Sequence, residues 1–128
     1  MELNILRADP AGNITVFVLD PVEKAQRAAI AEKIMAIPAL KAEQVGYACA
    51  AEDDVDGHME MMGGEFCGNA TRAYGMYIAQ QKGGLSSVRL CVSGCDHAVT
   101  AQVDLKSGEL SDRIDLRTEE DNLINLQQ

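Results

Sequence analysis

Gly63-Gly64-Glu65-Phe66-Cys67-Gly68-Asn69-Ala70-Thr71-Arg72 is the stretch whose residue types and spacing suggest chemistry. The glycine pair predicts a tight turn. The run Ala70 to Gln81 reads as a helix ended by Lys82-Gly83-Gly84, so Cys67 falls at or just before a helix N-terminus. Unpaired N–H groups and the positive end of the helix dipole act there. Such a thiol is expected to ionise below its ordinary value of about 8.5. The N–H groups of Gly68, Asn69 and Ala70 could hold an anion such as a carboxylate without help from lysine or arginine. A thiolate beside a carboxylate cradle suits proton transfer at the α-carbon of an amino acid. The plainer alternative is that Cys67 is a small buried hydrophobe, as most free cysteines are.

The remaining candidates are weaker. Cys91, Cys95 and His97 lie close in sequence, but their spacing fits no zinc pattern. His58 has no ligand spacing, and Cys49 alternates with Tyr47 and Val45 as a core residue would. No metal site is expected. Glu52, Asp53, Asp54 and Asp56 read as a solvated loop. The net charge of −9 argues against nucleic acid and anionic membranes as partners. No run of eighteen apolar residues predicts a membrane span. The start Met1-Glu2-Leu3-Asn4 lacks a basic-then-apolar signal pattern, so a cytoplasmic setting with reduced thiols is expected.

The elements that must position Cys67 follow from periodicity. Glu2 to Arg7 alternates as a half-buried strand, Ala8 to Asn13 is a turn, and Ile14 to Leu19 is a buried strand. Asp20-Pro21-Val22-Glu23 carries the signature of a helix start. The helix would bury Val22, Ala25, Ala29, Ile30, Ile34 and Ile37 and stop at Pro38. Strands are expected over Gln44–Ala51 and His58–Met62. After the central helix, with Ala70, Ala73, Tyr74, Tyr77 and Ile78 inward, come strands over Ser87–Ser93, Asp96–Leu105 and Leu110–Leu116. The pattern is an α+β fold, a mixed and mostly antiparallel sheet of about seven strands wrapped around two helices, the second of them central. Residues 1–116 form the domain, and 117–128 read as a polar tail or interdomain linker.

At Cys67-Gly68-Asn69 the chain resembles the diaminopimelate epimerase superfamily, whose first half carries this motif at the start of a buried helix. Gly64 to Thr71, with Glu43-Gln44-Val45-Gly46-Tyr47 and Val92-Ser93-Gly94-Cys95, is similar to the histidine racemase branch of opine-type metallophore synthesis. The resemblance covers about Leu3 to Leu116. It implies one half of a diaminopimelate epimerase-like fold and a cofactor-independent racemase or epimerase. It makes Cys67 one of two acid/base thiols. It also implies that Gly68 and Asn69 hold the substrate carboxylate, with Asn13 and Gln44 lining the pocket. The segment Met59 to Gly64 lacks an asparagine that the epimerases use on substrate. No second cysteine motif of the Cys-Gly-Ser-Gly kind follows.

Inversion needs a base on one face of the α-carbon and an acid on the other, so Cys67 alone does not account for it. Three arrangements are compatible with that requirement. A second homologous domain or subunit supplies the other group. A homodimer presents two Cys67 thiols across a twofold axis. Or the chain is a single-base isomerase, with Glu65 as the candidate carboxylate, or a non-catalytic amino-acid-binding domain of the same fold.

Overall fold

The computed structural model describes residues 2–9, 13–102, 110–115 and 126–127. In chain order the elements are β1 (Glu2–Ala8), β2 (Thr15–Val18), α1 (Lys24–Met35), β3 (Gln44–Cys49), β4 (Gly57–Met61), α2 (Gly68–Gln81), β5 (Ser87–Val92), β6 (Val99–Gln102), β7 (Leu110–Asp115) and β8 (Leu126–Gln127). The strands form one eight-stranded sheet in the order β6-β5-β4-β3-β2-β1-β7-β8. The pairs β2/β3 and β4/β5 are parallel, and the other pairings are antiparallel. The expected strand over Asp96–Leu105 is shorter where described, and its end lies outside the described residues. So does the boundary after Leu116. Leu126–Gln127, in the stretch expected as a tail or linker, pair with β7.

Each parallel pair is joined by a helix, α1 between β2 and β3 and α2 between β4 and β5. Both crossovers step toward the β6 edge, but β3 and β4 are antiparallel, so the second crossover starts from a reversed strand. A single crossover handedness then requires the two helices to lie on opposite faces. The core is accordingly divided in two. Leu3, Ile5, Val16, Val18, Val45 and Tyr47 meet Ile30, Ala31 and Ile34 of α1. The alternate residues Leu6, Ala8, Phe17, Met59, Met61, Val88, Leu90 and Ala101 meet Ala70, Ala73 and Tyr74 of α2. Side chains from β1 to β6 thus converge on α2, while α1 covers the other face. The expected α+β fold, a mixed and mostly antiparallel sheet around the central helix α2, is the one observed; α1 lies outside that wrap, on the other face.

The start of α1 also differs from the sequence reading. The helix begins at Lys24 after Glu23, whose side chain makes no cap hydrogen bond. Asp20 is drawn elsewhere: its carboxylate accepts from the Asn4 backbone N–H at 2.6 Å and from Asn4 Nδ2 at 3.2 Å. It ties β1 to the end of β2 instead of capping a helix. Ala25 and Ala29 face solvent, and Leu40, beyond Pro38, completes the α1 core. The second helix holds to expectation. Its buried stripe includes Ala70, Ala73 and Tyr74, with Tyr77 and Ile78 partly buried. Phe17 and Tyr74 meet with ring centroids 5.4 Å apart, fixing α2 to the middle of the sheet. At Gly75 a Cβ would stand 2.9 Å from Ala101 Cβ, so the missing side chain lets α2 approach β6.

Candidate active site

Cys67 sits where the C-terminal ends of β4 and β5 share an edge with the N-terminal ends of β2 and β3. The chain leaves β4 through a tight turn in which the Gly64 N–H donates to the Met61 carbonyl at 2.9 Å, with Gly64 at φ +74°. Glu65 folds back onto this turn, Oε1 accepting from the Gly63 N–H at 3.1 Å. That contact gives the Glu65 carboxylate a structural use in the turn.

The loop after β5 clamps the next residues. Ser93 Oγ donates to the Glu65 carbonyl at 2.7 Å and accepts from the Met61 N–H at 2.8 Å. Gly94, at φ +80°, passes so close that a Cβ there would lie 2.4 Å from the Phe66 backbone N. Only glycine allows both the left-handed conformation and the approach. Two loops far apart in sequence therefore hold Phe66 and Cys67 in place.

Cys67 is the N-cap of α2, with extended φ −134° and ψ 114°, and the helix proper begins at Gly68. Its Sγ accepts from the Ala70 N–H at 3.5 Å and from Gln44 Nε2 at 3.2 Å. Its carbonyl accepts from the Thr71 N–H at 2.9 Å and from Thr71 Oγ1 at 2.8 Å. Gln44 is fixed in turn, because Nε2 also donates to Thr15 Oγ1 at 2.8 Å. Thr15 is fully buried and is the register partner of Gln44 across β2 and β3. The thiol is half-buried, with two N–H donors aimed at the sulfur.

Among the expected site residues, the fold brings Gln44 onto Cys67. Gly68 and Asn69 occupy the first turn of α2 beside it. The Ala70 amide is committed to the sulfur, so the amides of Gly68 and Asn69 are those left without an intrahelical acceptor. Asn69 Oδ1 accepts from Arg72 Nη2. Asn13 stands exposed two residues before Thr15. Thr15, Arg72 and Ser93 were not picked out from sequence. The roles of Thr15 and Ser93 depend on strand register and loop packing, although Ser93 lies within the Val92–Cys95 motif, and Arg72 meets Asn69 one helical turn away in α2. Cys91 alternates away from the α2 side of β5, and Cys95 packs, half-buried, against the α2 core.

Burial pushes the phenols of Tyr74 and Tyr77 up, and the two rings pack with centroids 5.9 Å apart.

With this geometry in place, comparison with known proteins is informative. The family model of the histidine racemase CntK N-terminal domain matches residues 2–123. A histidine racemase of Fusobacterium nucleatum subsp. nucleatum is 42% identical over 79 residues, which cover 60% of this chain and 27% of that protein. A histidine racemase of Staphylococcus aureus is 34% identical over 99 residues, covering 74% of this chain and 36% of that protein. The crystal structure of the Bacillus anthracis phenazine biosynthesis protein of the PhzF family aligns with a TM-score of 0.48 at 19% identity. That alignment covers 98% of this chain and 40% of the other. The matched part of the two racemases is 27% and 36% of their own length. Since the family match takes in nearly the whole sequence, the chain belongs to the histidine racemase CntK N-terminal domain family.

Proposed function

We propose that this chain supplies one half of a cofactor-independent amino-acid racemase site, with histidine as the substrate and Cys67 as one of two acid/base groups. The observation that carries this reading is the pair of N–H donors on Cys67 Sγ, from Gln44 and the start of α2. Both hold the sulfur at the start of α2, positioned to exchange a proton with carbon. The substrate carboxylate would lie on the Gly68 and Asn69 amides at the positive end of the helix. The α-carbon would then face the sulfur. The thiolate takes the α-proton and becomes a thiol. The negative charge left on the substrate spreads into its carboxylate, where the helix start stabilises it.

Return of a proton to the other face completes the inversion. We assign that second acid to protein outside these 128 residues, a homologous domain or subunit. The lengths of the relatives support this. Gln44 holds the sulfur in register, and Asn13 borders the substrate. The four free thiols suit a reducing, cytoplasmic setting.

Competition for alkylation tests the reading. Iodoacetamide labelling followed residue by residue should modify Cys67 faster than Cys49, and L-histidine should slow the Cys67 reaction alone. Equal labelling of the two thiols, with no effect of histidine, would count against it.

A further inference from the structure

On the opposite sheet face, at the far end of β3 from Gln44, lies a second cluster. Cys49 and His58 are register partners across β3 and β4, and Glu60 follows on the same face of β4. Cys49 Sγ, an imidazole nitrogen of His58 and a carboxylate oxygen of Glu60 all lie within 4.8 Å of one another. From Gln44 to Cys49 the strand advances about 17 Å at 3.3–3.4 Å per residue, so this cluster is separate from the Cys67 site.

Its supporting contacts are ordered. His58 Nδ1 lies 3.3 Å from the Ala50 carbonyl. The other ring nitrogen, Nε2, stands 3.4 Å from Glu60 Oε2. A ligating histidine is commonly held this way, one ring N–H on a backbone carbonyl and the other nitrogen free for the ion. Arg27 Nη1 engages Glu60 Oε1 at 2.5 Å, leaving Oε2 to the cluster, and Nη2 is 3.7 Å from Cys49 Sγ. The histidine and glutamate side chains are 24% and 25% exposed. An open cleft of about 420 Å³, lined by Leu19, Val22, Arg27, Ala48, Cys49 and Ala50 among others, lies beside Cys49. On the other flank Cys91 of β5 is the register partner of His58, so a second thiol stands one strand away.

We propose that Cys49 Sγ, His58 Nε2 and Glu60 Oε2 form a binding site for a divalent transition-metal ion of the zinc class. Thiolate, imidazole and carboxylate together match a borderline-soft ion. Bonds of about 2.0–2.3 Å in a tetrahedral arrangement place ligand atoms roughly 3.3–3.7 Å apart. His58 Nε2 and Glu60 Oε2 already stand at that spacing, and the Cys49 sulfur has to close on them by about 1 Å at most, which partly exposed side chains can do. Burial, and then the Glu60 charge, push the Cys49 thiol up, so the ion must displace its proton to solvent. Arg27 stays on Glu60 Oε1 as an outer-shell donor.

The test uses Co²⁺ as the probe and Zn²⁺ as competitor, on the reduced chain in chelator-free buffer. One equivalent of Co²⁺ should give a thiolate-to-cobalt charge-transfer band and tetrahedral d–d bands, both removed by Zn²⁺. Cys49→Ser and His58→Gln should each weaken binding at least about tenfold, the lower range seen even for outer-shell partners. Cys67→Ser should leave binding unchanged. A band that persists in Cys49→Ser, or disappears in Cys67→Ser, would overturn the assignment. So would the absence of any band, which would leave an ion-pair network centred on Arg27. Should a variant lose its native circular dichroism, the wild-type chain decides: Zn²⁺ must protect Cys49 from alkylation and leave Cys67 reactive, and the reverse overturns the proposal.

Discussion

At Cys67 the sulfur is surrounded by N–H donors, and Arg72, the nearest cation in sequence, is engaged by Asn69. Gln44 links the thiol to a buried hydroxyl, and its removal is predicted to act on both. Gln44→Ala leaves Thr15 Oγ1 without this donor inside the sheet and should lower stability by about 0.5–1.5 kcal/mol, read by urea unfolding. It should also change the alkylation rate of Cys67. A Cys67 rate unaltered in Gln44→Ala would show that the glutamine does not set the thiol. On the other face, the hydrogen bond from Arg27 holds the Glu60 carboxyl below its ordinary value of 4.5. A depressed folded-state value means that the unfolded chain takes up the proton first as pH falls. The pair's contribution is therefore complete above about pH 4.5 and is lost as the pH drops through the lower, folded-state value. Both side chains are partly exposed, so the contribution is about 1 kcal/mol or less. Glu60→Gln should shift the urea midpoint at pH 7, and the shift should shrink steadily as the pH is lowered below about 4.5, with chelator present throughout.

At the scale of elements, Gly94 is the contact on which the Cys67 loop depends. Gly94→Ala combines a left-handed backbone with a Cβ 2.4 Å from the Phe66 nitrogen. It should cost about 1–3 kcal/mol and loosen Cys67, seen as faster alkylation at unchanged pH. Much of this layer was legible in the sequence. β4 and β5 follow their alternation and α2 its small and aromatic stripe, because each pattern reports one buried face, whereas β2 is buried throughout because both its faces are covered. The start of α1 was not legible. Asp20-Pro21-Val22-Glu23 has the local grammar of a cap, yet Asn4, sixteen residues away, takes the carboxylate. Tertiary hydrogen bonding outweighed a local preference worth about 1 kcal/mol. The same limit hid Thr15 from Gln44 and His58 from Cys49. Those pairs exist only once β2/β3 and β3/β4 have taken their register. Spacing along the chain gives His58 no partner; pairing across strands does.

For the whole molecule, reversal of strand direction between the two crossovers places one helix on each face and one cluster beside each helix. The α2 side carries the thiol at a helix start, and the α1 side carries the Cys49, His58 and Glu60 cluster. Membership of the family fixes the kinship of the chain, and the relatives extend well beyond the matched part. On the proposed function, the chain would move a proton on and off one face of the α-carbon. The most direct measurement is α-proton exchange. The 128-residue chain is incubated with L-histidine in heavy water, and the Cα–H signal is followed by NMR beside the Cys67→Ser variant. The predicted result is uptake of deuterium without accumulation of the D-isomer, slowed by about 10²-fold or more in Cys67→Ser, the range for loss of a general base. Exchange that continues undiminished in Cys67→Ser would contradict the role given to the thiol, and D-histidine formed by this chain alone would contradict the half-site.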